Sequence, residues 1–121
     1  MKNAPTPEQL SKLLPPLYAT EEIDLEDKLV FIHFQILNSH FWGIEFDRED
    51  TFFGYVLLNG WLQDAELGYF TLSELMETKV GGWLEVENDQ WWVVRPLKDI
   101  GLVQEILSFK NNIESRMAAQ S

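Results

Sequence analysis

The sequence predicts an α+β domain: a mainly antiparallel sheet (a meander) with a short N-terminal helix, a short middle helix and a longer C-terminal helix. Three observations predict it. From Val30 to Phe70 the apolar residues recur at every second position, the period of a strand. The interruptions are short and rich in Asn, Ser, Asp and Gly, which suits hairpins and not the long crossovers of a parallel sheet. Helical periodicity is confined to the two ends and one brief stretch after Phe70. At 121 residues, the segment 1–121 reads as a single domain.

The first helix begins at Thr6-Pro7-Glu8-Gln9, where Thr6 caps, Pro7 fits the first turn and Gln9 completes a capping box. Leu10, Leu13, Leu14 and Leu17 form one apolar stripe, but Pro15-Pro16 stops the helix, so Leu17 continues as extended chain. Residues 21–27 carry five acids and read as a solvated connector with Ile23 and Leu25 turned inward. In the first strand Val30, Ile32, Phe34 and Ile36 alternate with Phe31, His33, Gln35 and Leu37. A tight turn at Asn38-Ser39-His40 would set His33 opposite Glu45 and Gln35 opposite Gly43. Trp42, Ile44 and Phe46 then alternate inward, Asp47–Asp50 turns the chain, and strands follow at Thr51–Leu58 and Glu66–Phe70. Thr71 and Glu74 form a second capping box, with Phe70 and Leu75 at the staple positions, and Gly81-Gly82 ends that helix. Trp83–Val86 and Gln90–Val94 read as strands around Asn88-Asp89, extending the sheet, with the helices on one of its faces. Pro96 opens the last helix, which frays from Arg116.

Composition excludes several classes of function. Nine Lys and Arg against 20 Asp and Glu give a net charge of −11, which opposes binding to nucleic-acid phosphates. With no cysteine, disulfides, thiolate metal sites and Cys nucleophiles are absent. No apolar run approaches the length of a spanning helix and the opening residues lack a signal core, so a cytoplasmic address and no membrane are expected.

Four blocks resemble a bacterial domain-of-unknown-function family of small acidic proteins, often carried on plasmids and other mobile elements. They are Leu13–Glu21, Phe46-Asp47 with Asp50–Gly54, Glu66–Leu75 and Arg95–Ile100, in that order, spanning about residues 13–100. The loop Asn59–Ala65, which carries Trp61, is longer than in the family, and residues 101–121 extend beyond the shared region. The resemblance implies kinship and no activity, so no residue inherits a role from it.

His33 with Glu45 is the one cross-strand pair suited to acid–base chemistry, but no nucleophile accompanies it. Glu45, Asp47, Glu49 and Asp50 gather carboxylates, yet the turn lacks the glycine of a calcium loop, so no metal or other cofactor is expected. Trp42 reads as core, and Trp91 and Trp92 on one strand point to opposite faces. Trp61 either folds back over the sheet or marks an interface. Between Lys28 and Lys79 the sole cation is Arg48, against eight acids. The expected function is therefore a non-catalytic interaction module. Its binding residues are Glu45, Asp47, Glu49, Asp50, Trp61, Trp91 and Trp92, and its partner is a basic protein surface. The mobile-element resemblance sharpens this to an inhibitor that imitates nucleic-acid charge. The alternative is a small enzyme using surface carboxylates with His33. Apolar residues at 97–113 cover two stripes, which suits either a homodimer through this helix or closure of the sheet's second edge.

Overall fold

A computed structural model describes residues 1–120 and has the expected α+β architecture. In chain order the elements are α1 (Pro7–Leu13), β1 (Leu29–Val30), β2 (Ile32–Ile36), β3 (Ser39–Phe46), β4 (Thr51–Leu57), β5 (Glu66–Thr71), α2 (Leu72–Glu77), β6 (Lys79–Val80), β7 (Leu84–Glu85), β8 (Glu87–Asn88), β9 (Arg95–Pro96) and α3 (Gly101–Gln120). Five strands form the main sheet in the order β5-β4-β3-β2-β8, all antiparallel. Two small ribbons, β1 with β9 and β6 with β7, flank it.

The first capping signal is a complete box, whereas the second is only half of one, with no bond between the Glu74 side chain and the Thr71 N–H. Thr6 Oγ1 accepts from the Gln9 N–H while Gln9 Oε1 accepts from the Thr6 N–H. Thr71 Oγ1 accepts from the Glu74 N–H at 3.1 Å at the start of α2. Thr71→Ala should therefore destabilise the domain by about 1 kcal/mol, the usual cost of a lost N-cap. An unchanged urea midpoint with an unchanged m-value would show that the cap contributes nothing.

The helices cover both faces of the sheet, not one. Leu10 and Leu14 from the α1 end and Leu72 and Leu75 of α2 pack with Ile32, Phe34, Phe46, Phe52 and Phe70 on the first face. Val103 and Ile106 of α3 pack with Val30, Trp42, Ile44, Tyr55 and Leu57 on the second. This second face is as apolar as the first, so solvent cannot be its neighbour. Of the two apolar stripes of residues 97–113, the one with Leu102, Ile106, Phe109 and Ile113 was the surface a homodimer would need, yet Ile106 is fully buried against the chain's own sheet. Of that stripe only Ile113 is exposed, while Leu102 and Phe109 are half-buried. The helix starts at Gly101 and not at Pro96, because Leu97–Asp99 form a separate 3-10 turn that ends at an extended Ile100, and it runs unbroken past Arg116 to Gln120.

Four local expectations are corrected by the backbone. The first hairpin closes at Leu37-Asn38, with Leu37 at φ 50°, so His33 pairs with Trp42 and Gln35 with His40. The odd shift in register puts His33 on the Trp42 face and parts it from Glu45. Leu17 lies in a turn, not an extended run. Gly81-Gly82 does not end α2, which stops at Glu77; at φ 64° and 79° the two glycines make the β6–β7 turn, a conformation they enter without a Cβ penalty. Residues 90–94 form no strand, because the Asp89 N–H donates to the His33 carbonyl and Asp89 Oδ1 accepts from the Trp91 N–H, turning the chain away.

Candidate functional site

The two edges of the main sheet are treated differently. At β8 the N-terminal segment closes the edge: Lys2 bridges Glu87, the Asn88 N–H donates to the Lys2 carbonyl, and the Asn88 side chain donates to the Asn3 carbonyl. At the other edge β5 pairs with β4 over six consecutive positions and has no outer neighbour among the described residues. Proteins commonly blunt such an edge with Lys, Pro or a bulge. In β5 there is none of these, and Glu66 is its one charged residue.

Two grooves meet along this edge at Tyr69. One, of about 510 Å³, is lined by Leu58, Trp61, Asp64, Glu66, Gly68 and Tyr69, among others. Trp61 is 57% exposed and Tyr69 59%. Its floor is notched at Gly68, where an added Cβ would meet nothing within 4 Å. The other, of about 440 Å³, has Ile23, Leu25, Phe53 and Leu67 as apolar wall, with Tyr18 and Tyr69 at its mouth and Glu21 on the rim. Desolvation, and then the Tyr18 hydroxyl hydrogen-bonded to it, hold the Tyr69 phenol above its ordinary value.

A buried polar network fixes this second groove. Glu45, 3% exposed, accepts from the Tyr18 N–H at 2.8 Å, from the Thr20 N–H at 3.0 Å and from the Thr20 hydroxyl. Lys28, also buried, donates to the Thr20 carbonyl and to Thr20 Oγ1. Thr20 thus links a buried ammonium to a buried carboxylate. The same bonds hold Tyr18 at φ 71°, a left-handed conformation that costs a non-glycine residue about 1–3 kcal/mol. Glu45 reaches this position through a β-bulge at Ile44, which puts it opposite Phe53 and so in row with Tyr69.

The sequence-predicted site residues are thereby dispersed. Asp47 Oδ1 accepts from the N–H groups of Glu49, Asp50 and Thr51, tying the β3–β4 turn. Desolvation opposes ionisation of Asp47, but the bonds from Asp50, Glu49 and Thr51 prevail and hold its pKa below the usual value. Asp50 accepts from the backbone N–H and hydroxyl of Ser73 in α2, and Glu49 is exposed. Trp61 lies at the β5 edge, whereas Trp91 lies at the β8 edge beside Lys2 and is 91% exposed. Trp92 is half-buried, donating Nε1–H to the Val30 carbonyl with the Arg95 guanidinium 4.0 Å above its ring. Among the described residues no group of three His, Asp or Glu side chains is placed to hold a metal ion, and no helix is long and apolar enough to cross a membrane.

One cluster was not foreseen. His33 Nδ1 lies 3.1 Å from Asp89 Oδ2, and His33 Nε2 lies 2.9 Å from His40 Nδ1. Both imidazole pKa values lie below the ordinary 6.5. For His33 burial is the main cause, opposed by Asp89 and assisted by Arg95; for His40 burial leads and His33 adds. The unfolded chain therefore binds protons first as pH falls, so stability present above pH 6.5 declines below it. Denaturant midpoints between pH 7 and 5 should fall, by up to about 1.4 kcal/mol per pH unit for each proton taken up on unfolding. His40→Gln should flatten the slope. A flat wild-type profile would contradict the arrangement.

Comparison with family models, with curated proteins and with solved structures finds no match to this chain.

Proposed function

We propose that this protein is a binding module that captures a basic, extended segment of another protein along the open edge of β5. The observation that carries the reading is the contrast between the two sheet edges, one closed by the chain's own N-terminus and one left open between aromatic grooves. An added strand finds its main-chain partners on such an edge, and its alternate side chains enter flanking pockets. Asp64, Glu66 and Glu21 set the sign of the partner. The one cation in the grooves, Lys28, is buried and linked to Glu45 through Thr20. Trp61 and Tyr69 are the residue types that dominate binding energy when covered. The resemblance to plasmid-borne proteins supports a sharper form, in which the captured segment belongs to a nucleic-acid-binding channel and the acids imitate phosphates.

A fluorescein-labelled short peptide alternating Lys and Thr tests the reading by anisotropy. Binding should weaken steeply with salt, and an alternating Glu-Thr peptide and random duplex DNA should not bind. Trp61→Ala should weaken binding by about tenfold, the scale of an interface hot spot. An added Cβ at Gly68 meets nothing within 4 Å, so Gly68→Val, which fills the notch, should keep stability and lose affinity. Equal binding of the Lys and Glu peptides, or indifference to both substitutions, would overturn the proposal.

A further inference from the structure

The Asp89–His33–His40 cluster lies on the α3 face of the sheet, apart from the β5 edge. His33 is 7% exposed, packed against Trp42 and Trp92. Its ring and that of His40 are parallel to within 3°, with centroids 5.2 Å apart. Together with the 2.9 Å nitrogen contact, this is an edge-to-edge, in-line arrangement. The register explains it, because His33 opposite Trp42 makes His40 its diagonal neighbour across the hairpin. Asp89 is held from behind, its Oδ1 accepting from the Trp91 N–H and its N–H donating to the His33 carbonyl.

The carboxylate settles every proton in the chain. Asp89 accepts, so His33 carries its proton on Nδ1 and presents a bare Nε2. His40 must then donate from Nδ1, which leaves its own Nε2 unprotonated. No hydrogen-bond partner for that nitrogen exists among the described residues, and it is not enclosed. His40 lines a groove of about 240 Å³ with Leu57, Leu62 and Leu102 as apolar wall and Glu105 at its side.

We propose that His40 Nε2 is a nucleophilic site that accepts acyl groups from small, uncharged activated esters. Nε2 attacks the acyl carbon, an N–C bond forms, the C–O bond breaks and the alkoxide or phenoxide leaves. The Nδ1 proton of His40 moves to His33 Nε2, and the resulting imidazolium faces the Asp89 carboxylate, so the acylated ring stays neutral. Water then gives its hydroxyl to the acyl carbon as the C–N bond breaks, the proton on His33 Nε2 returns to His40 Nδ1, and the remaining proton of the water goes to solvent, which restores the bare Nε2. The apolar wall accommodates the acyl group, and Glu105 with the overall negative charge disfavours anionic esters. Asp89 and His33 are positioning residues that fix which nitrogen is bare.

p-Nitrophenyl acetate is the probe, with p-nitrophenolate release followed by absorbance and the acyl adduct located by mass spectrometry of quenched protein. The label should sit on His40 and not on His33, a result that needs no variant. Asp89→Asn reverses the relay: its amide donates to His33 Nδ1, His33 donates from Nε2, and His40 carries its proton on Nε2. Release should fall by at least about tenfold, the scale of a lost general base, and the acid limb of the pH profile should vanish. Nitrogen NMR shifts should show His40 Nε2 bare in the wild type and protonated in Asp89→Asn. Label away from His40, an unchanged rate in Asp89→Asn, or a protonated wild-type Nε2 would each overturn the proposal.

Discussion

Gly54→Ala should destabilise the domain by at least about 3 kcal/mol, the upper range for forcing atoms into a packed interior. An added Cβ there would lie 2.0 Å from the Trp42 carbonyl oxygen, a backbone atom that cannot rotate away. Gly43, Gly54 and Gly68 form one row across β3, β4 and β5. Gly68→Ala in the same row meets nothing within 4 Å, so it should be neutral or stabilising by about 0.5 kcal/mol, because alanine gives up less chain freedom in a strand. Urea denaturation of both variants checks the pair. Equal midpoints would mean that β3 and β4 do not approach as closely as the bulge at Ile44 requires.

Glu45→Gln should cost about 3–5 kcal/mol, because it removes a buried carboxylate on which three donors converge and leaves the Lys28 ammonium, joined to it through Thr20, without that countercharge. Lys28, whose acceptors are the carbonyl and hydroxyl of Thr20, would lose the carboxylate that Thr20 links to it, and the Thr20 and Tyr18 N–H groups would lose a charged acceptor. The double variant Glu45→Gln with Lys28→Met should recover a large part of the loss, since an uncharged pair leaves no stranded ammonium. Additive losses in the double-mutant cycle would show that Thr20 does not couple the two charges. Tyr18 should relax with Glu45→Gln, since the Glu45 carboxylate is the acceptor that holds its N–H, and the second groove should widen at its mouth.

The parts of the fold that were legible in the sequence depend on local physics. Thr6–Gln9 and Thr71–Glu74 cap helices through contacts only three residues apart, and the two-residue alternation of β2 to β5 is visible without any partner. Register was not legible. A leucine at φ 50° tightened the first hairpin, and one such residue moved every cross-strand pair, including His33 away from Glu45. The helices were expected on one face of the sheet; the second face is buried as well because α3 returns over it, a tertiary fact that no window of sequence contains.

The site shows the same division. Trp61 was singled out because a large aromatic in a polar loop is unusual, and it does line the open edge. Glu45, Asp47 and Asp50 share a charge run, but the chain uses each of them to satisfy backbone donors. Charge counts could not separate those from Asp64 and Glu66, which face solvent. Tyr18, Phe53 and Tyr69 come from three distant segments, so only topology brings them together. His40 was read as a turn residue. A turn shortened to Leu37-Asn38 would have placed it beside His33, although Asp89, far along the chain, would still have been missed.

The most direct test of the central claim is amide hydrogen exchange of β5 with and without the Lys-Thr peptide. The account predicts that the outward amides of residues 66–71, which no strand covers, exchange quickly in the free protein and become protected on binding, while the amides of β8 do not change. Binding of the peptide with no added protection in β5, or with protection confined to β8, would contradict it.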